Sequence, residues 1–207
     1  LKKADYALFL EITANYHIKQ KNWGKVITYL SKAIKYSGDK KKKVRLTYII
    51  GQIHHQLEDY KSAYNAFDKV VRMNPEYEFL FNALLSRARA FDPKYNDSSK
   101  LITEINKMLK DDKNNDYKDQ IYFALAEIAI KEEDKEQAID HLLNATANNT
   151  GNDQQQSIAH LTLAEIYFND AEYLSAQVHY DTAITFLSEN HPDFDVLSKK
   201  RESLNEL

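Results

Sequence analysis

The chain has 207 residues, 43% of them hydrophobic and 12% aromatic, enough for a real core and too apolar for wholesale disorder. Lys and Arg number 28 against 31 Asp and Glu, a formal charge of −3 that argues against a dedicated nucleic-acid binder. Cysteine is absent, which excludes disulfides, thiolate nucleophiles and cysteine-based metal sites, and four glycines with three prolines are too few for a turn-rich all-β fold.

Apolar periodicity predicts helices over 3–19 and 23–36, 43–57 and 60–73, 76–91 and 97–110, 116–131 and 135–148, and 153–169 and 173–188. A further helix starts near Phe194. These form five units of one layout, a helical stretch, a polar break and a second helical stretch, over about 3–37, 43–75, 76–111, 116–150 and 153–189, with a trailing helix from about 193. Each break ends on a small or apolar residue at one register: Val26, Ala63, Leu101, Ala138 and Ala176, at steps of 37, 38, 37 and 38. Four positions earlier stand Asn22, Asp59, Asp97, Asp134 and Glu172. Asn and Asp cap a helix by accepting from a free backbone N–H, and Glu172 is the exception.

The second helices keep one apolar face: Ala63, Phe67, Val70 and Val71; Ala138, Leu142 and Ala145; Ala176, Tyr180 and Ala183. The first helices carry a small residue twelve positions before the register mark, at Ala14, Gly51, Ala126 and Ala164. Glycine inside YIIGQIHHQ costs about 1 kcal/mol against alanine, so Gly51 predicts the close approach of a neighbouring helix. The remaining Gly and Pro residues fall where helices should stop or start. No pair could bury its stripe alone, and stacking pair on pair gives one continuous core, so 1–207 reads as a single array. No run approaches the roughly 20 apolar residues of a membrane span. The chain opens without Met and stops inside a helical pattern, which reads as an excised piece of a longer protein.

The second unit, with Gly51, Tyr60, Ala63, Phe67 and Pro75, resembles the tetratricopeptide repeat pattern, and the fifth repeats it with Leu163, Ala164, Tyr167, Tyr173, Ala176, Tyr180 and Ala183. The third departs most, with Leu101 where Ala is usual and Met108 in place of the later Ala. The resemblance implies an all-α fold: a right-handed superhelix, or α-solenoid, of about five helix pairs plus the start of another helix. The strings NPEYEFLFNALLSRARAFD and DFDVLSKKRESLNEL are similar to the repeat region of a bacterial envelope lipoprotein family of type IX secretion and gliding motility. That resemblance implies attachment to the periplasmic side of the outer membrane and partners among other envelope machine components. Any membrane contact would then run through an anchor outside this piece, which has no lipid-bearing cysteine. The alternative is a cytoplasmic peptide-binding adaptor or co-chaperone of the repeat class.

The repeat family binds protein or peptide partners on a concave face built from first helices. Carried over, that face offers Asn15 in the first unit; Arg45, Tyr48, Gln52 and His55 in the second; Phe123 and Glu127 in the fourth; and Glu165 and Phe168 in the fifth. In the third, Asn82, Ser86 and Arg89 are the candidates. Tyr48, Phe123 and Phe168 would be partly exposed aromatics, supplying buried area to a peptide beside amides that satisfy its backbone. Equally, these rings could pack against the neighbouring repeat. The carboxylate clamp of chaperone-tail binders does not fit, because Glu11 stands where its Lys is expected and Ile49 where its second Asn is expected.

The run Lys40 to Lys43, with Arg45, reads as a solvated connector or as a contact for an anionic surface. Arg87 and Arg89 lie in the unit where the pattern breaks. No HExxH, P-loop, GxGxxG or GxSxG string occurs, and acidic clusters lack EF-hand spacing. His54 and His55 point about 100° apart on a helix, and the other five histidines are scattered singly. The reading is of a non-enzymatic chain without cofactor or metal.

Overall fold

A computed structural model of the chain describes residues 3–187 and 194–205. Among the described residues there are eleven α-helices, one short 3-10 helix and no strand. The helices are α1 (Lys3–Lys19), α2 (Trp23–Tyr36), α3 (Lys40–Gln56), α4 (Tyr60–Arg72), α5 (Tyr77–Arg89), α6 (Ser99–Leu109), α7 (Lys118–Lys131), α8 (Lys135–Ala147), α9 (Asp153–Asn169), α10 (Tyr173–Thr185) and α11 (Phe194–Asn205). The 3-10 helix covers Asp112–Tyr117. The helices fall into two compact units, residues 1–97 and 98–207, and the division lies inside the third predicted pair.

In the first unit α1 packs on α2, α2 on α3, α3 on α4, and α5 on both α4 and α3. Leu10 and Ala14 of α1 meet Val26, Leu30 and Ala33 of α2 and Leu46, Ile50 and Ile53 of α3 in one core. Gly51 is buried in α3 against the ring of Phe67 on α4, the close approach its sequence context predicts. In the second unit each helix from α6 to α11 packs on the next, and α7 also touches α9. Phe123 and Ala126 of α7, Leu142 and Ala145 of α8 and Ala159 and Leu163 of α9 share its central core. Ala164, Ala176 and Tyr180 close the α9–α10 hairpin, with Leu197 of α11 against them.

Four hairpin turns are built alike. Lys21, Glu58, Glu133 and Ala171 have φ of 54°, 59°, 61° and 60°, each directly before the next helix's N-cap. Asn22, Asp59, Asp134 and Glu172 donate their backbone N–H five residues back, to the carbonyls of His17, His54, Ala129 and Tyr167. The left-handed residues donate three residues back, to Ile18, His55, Ile130 and Phe168. Each first helix thus ends in a Schellman motif whose last residue is the next helix's N-cap. The side chains of Asn22, Asp59 and Asp134 accept from the N–H groups of Lys25, Ser62 and Gln137, and Glu172 makes no such bond.

The third connection differs. It runs through residues 90–98, where each of the other four has three residues. Ser98, not Asp97, holds the N-cap position of α6. Ala90 and Phe91 are buried although they lie outside any helix, and Ala90 packs on Ala63 and Phe67. Spacing alone carried the cap assignment at Asp97, and the longer connection moves the cap on by one residue.

Two further boundaries move. Lys40 to Lys43 form the first turn of α3 and not a connector, because Asp39 caps the helix by accepting from the N–H groups of Lys41 and Lys42. Four lysines oppose the helix dipole there. Pairing of Lys42 with Glu11 and Lys41 with Glu76 offsets that. The helix predicted from 116 starts at Lys118, after the 3-10 segment. Asn114, fully buried in that segment, donates from Nδ2 to the carbonyl of Met108 at 2.8 Å and so satisfies the end of α6. Helix α10, predicted to 188, ends at Thr185 with Phe186 as its C-cap, and residue 188 and Pro192 lie outside the described residues.

Candidate functional site

A cleft of about 250 Å³ opens in the first unit. Tyr48, Gln52, His55 and Gln56 of α3 line one side, Ser86 and Arg89 of α5 the other, and Phe67 of α4 the floor. The α3 residues sit at intervals of four and three, so they share one helix face. Tyr48 is half-buried and fixed from three directions. Its hydroxyl lies 3.0 Å from Ser86 Oγ, its ring tilts against Phe67 at 5.3 Å, and Phe79 meets it edge-on at 6.1 Å. His55 is held edge-on by Tyr60 at 5.4 Å. Gln52 and Arg89 are exposed at the rim. Phe67 is almost wholly buried, so the cleft offers the edge of the Tyr48 ring, set among amide, hydroxyl, imidazole and guanidinium groups. Those groups suit a backbone carbonyl, a backbone N–H or a carboxylate, and they form no nucleophile–base–orienter row.

Between the same helices α4 and α5 lies a buried ion pair that the sequence reading missed. Arg87 on α5 is 2% exposed, and its Nη1 donates to Asp68 Oδ1 of α4 at 2.8 Å. Asp68 Oδ2 also takes Arg72 at 2.7 Å, and Tyr64 lies under the Arg87 guanidinium at 5.8 Å. Arg87 thus braces α5 against α4, while Arg89 reaches the cleft. The sequence signal was an arginine within the apolar run FLFNALLSRARAF, where only a paired cation is tolerated.

The other sequence candidates disperse. Asn15 is exposed on α1. Arg45 is exposed and lies 3.7 Å from Glu11, whose carboxylate is also 3.0 Å from Lys42. Asn82 donates to the carbonyl of Glu78 on its own helix. In the second unit Glu127 is half-buried and Glu165 exposed. Phe168 is half-buried between Tyr173 at 5.6 Å and the Lys200 ammonium at 5.0 Å. Phe123 is a correction: it is 8% exposed, packed into the α7–α8–α9 core and unavailable to a partner. Helix α7 buries residues on nearly every side, and the string IYFALAEIAI, with one charge in ten residues, is the signal for it.

Histidines scattered along the sequence are not all separate in space. His160 and His179 meet at 2.9 Å, and His54 lies 3.0 Å from Asp59. Hydrogen bonds from Ser62 above all, with His54 a smaller influence, hold the Asp59 carboxyl below the usual carboxylate range. Among the described residues no group of three or more metal-ligating side chains assembles, and no helix is long and apolar enough to cross a membrane.

Residues 44–77, covering α3 from Val44 on, α4 and the first residue of α5, match the family model described as tetratricopeptide repeat. No curated protein matches the chain. Among solved structures, a MamA protein solved as the "RS-1 ArsTM double mutant" is 15% identical with a TM-score of 0.61, over 88% of this chain and 94% of that one. TTC0263, described as a thermophilic TPR protein in Thermus thermophilus, is 14% identical with a TM-score of 0.58, over 97% of this chain and all of its own. The fold is thus an all-α helical-repeat fold of the solenoid class, and its second helix pair matches the tetratricopeptide repeat in sequence as well.

Proposed function

We propose that this chain is a non-enzymatic scaffold that holds a protein or peptide partner against α3 and α5, within a bacterial envelope machine of the type IX secretion and gliding kind. The observation that carries the partner-holding role is the cleft, which Tyr48, Gln52, His55 and Arg89 line together. A short peptide segment would place a side chain against the half-buried Tyr48 ring and present its backbone to the amides and hydroxyls around it. The envelope assignment is supported by the resemblance of residues 74–92 to the envelope lipoprotein family. That string is also the one that supplies Ser86 and Arg89 to the cleft and Arg87 to its brace. On this reading the chain works on the periplasmic side of the outer membrane, tethered by an anchor outside residues 1–207.

The test is site-specific photo-crosslinking from Gln52 in the native host, followed by identification of the product. A product with an outer-membrane or periplasmic protein, lost in the Tyr48→Ala, Arg89→Ala double variant while helicity is unchanged, supports the proposal. A product with a cytoplasmic protein supports the adaptor alternative. Crosslinking that survives the double variant overturns the cleft as the binding site.

A further inference from the structure

His160 on α9 and His179 on α10 face each other through their Nδ1 atoms at 2.9 Å, with ring centres 5.2 Å apart. The distance between centres is the nitrogen gap plus one ring radius at each end, so the two lone-pair axes lie close to one line. Nitrogens aimed head-on share a proton; a chelated ion would bend them around itself. Tyr167 stacks on His179 at 5.4 Å with the rings 5° from parallel, and fixes its plane.

The neighbours point to the nitrogen that carries that proton. Gln156 Nε2 donates to the backbone carbonyl of Thr146 at 3.4 Å, and a carbonyl only accepts. The same amide nitrogen lies 3.5 Å from His160 Nε2, so that ring nitrogen is the acceptor. With the amide in this orientation, the matching tautomer of His160 has its proton on Nδ1 and donates it to His179 Nδ1. One directed chain of bonds runs from Thr146 on α8 through Gln156 and His160 on α9 to His179 on α10. A third proton has no good place in it. On His160 Nε2 it would face the Gln156 NH₂. On His179 Nδ1 it would face the His160 N–H, unless that proton moves to Nε2 and meets Gln156 again.

We propose that Gln156, His160 and His179 form a proton-sensitive clasp that fastens α8, α9 and α10 together at neutral pH and lets go in mild acid. Charges on the elements around it do not rescue the protonated form. Glu127 on α7, Asp140 and His141 on α8, Glu165 on α9, Asp181 on α10 and Lys200 and Arg201 on α11 are all absent from the influences on His160, which are burial first and His179 second. Asp181 is turned to Arg201 at 3.8 Å, and the Lys200 ammonium sits over Phe168 and Tyr180. Burial and the neighbouring ring hold His160 down to about 4, and burial holds His179 below the ordinary imidazole value. The unfolded chain takes up these protons from about pH 6.5 downward, and the folded chain refuses them. The clasp's contribution is therefore whole above that pH and drains away as the pH falls toward the lowered value. His141, beside Tyr122, is also held down by burial, so a variant comparison is needed to assign the effect.

The experiment uses the whole chain in chelator-treated buffer. Long-range ¹H–¹⁵N spectra at about pH 7.5 should show His160 as the Nδ1–H tautomer. Amide exchange, corrected for its intrinsic pH dependence, should accelerate in α9 and α10 by about tenfold or more between about pH 7.5 and pH 5, with α1 to α4 changing far less. The double variant His160→Gln, His179→Gln should lose most of that acid response. An Nε2–H tautomer at His160 overturns the proposal, and so does an undiminished acid response in the double variant. If that variant does not fold, the tautomer of the unaltered chain decides.

Discussion

The ring of Phe67 occupies the space a side chain at Gly51 would need: a Cβ built there stands 2.7 Å from Cε1 and 2.9 Å from Cδ1. Phe67 is 1% exposed and also touches Tyr48, so the ring cannot shift without disturbing that packing. Helix propensity alone would make Gly51→Ala stabilising by about 1 kcal/mol. Overpacking costs about 1–3 kcal/mol and reverses the sign. Urea unfolding followed by circular dichroism should show Gly51→Ala below the parent and Gly51→Leu lower by several kcal/mol. A Gly51→Leu protein that unfolds with the parent would refute this packing.

Arg87 and Asp68 should respond unequally to substitution. Asp68→Ala takes a carboxylate away from a guanidinium that is 2% exposed, a loss of up to about 3–5 kcal/mol. Arg87→Met costs less, because Asp68 keeps Arg72 at 2.7 Å. A double-mutant cycle by denaturant unfolding should give a coupling of at least about 1 kcal/mol between the two. Independent, additive losses would show that the pair does not brace α5.

Ala171 sits at φ 60°, where a β-carbon is strained and glycine is not. Its side chain is exposed and a methyl group is all that is lost. Ala171→Gly should therefore raise stability by about 0.5–1 kcal/mol, opposite to the usual effect of adding glycine. Thermal unfolding of the two proteins side by side checks the sign.

Asp119, in the first turn of α7, has almost no solvent contact. Burial holds its carboxyl above the usual carboxylate range, against hydrogen bonds from the N–H of Gln120 and from Asn149 Nδ2. A raised folded-state value means that the folded chain binds the proton first. The contribution is fully present below the unfolded value and is lost as the pH rises through the folded one. The parent should accordingly gain on Asp119→Asn as the pH falls toward the ordinary carboxylate range. Unfolding curves for both proteins across that range test this, and a constant difference would count against it.

The helix pairs were legible because two periods coincide in the sequence, the apolar face of each helix and the register that repeats it. Gly51 and the caps at Asn22, Asp59 and Asp134 could be read because each residue type solves a local backbone problem. The nine-residue connection escaped because total spacing hides a helix that ends early and a loop that makes up the difference. Phe123 was misjudged because an aromatic at a first-helix position can face a groove or a neighbour, and only the surroundings of α7 decide. In the cleft, α3 could be read from one unit's pattern. Ser86 and Arg89 could only be guessed, since the register of α5 is set by the burial of Arg87 and not by any repeat position. The meeting of His160 with His179 depends on how two helices turn toward each other, which no spacing within either one reveals.

The four alike turns carry one more implication. Their hydrogen bonds reach back no further than five residues, so each elbow is closed before any other pair is in place. Such a hairpin keeps its shape wherever it is spliced, which suits it to duplication, grafting or exchange as a cassette. The connection through residues 90–98 lacks that self-sufficiency, and a cut or transplant there would have to bring its surroundings with it.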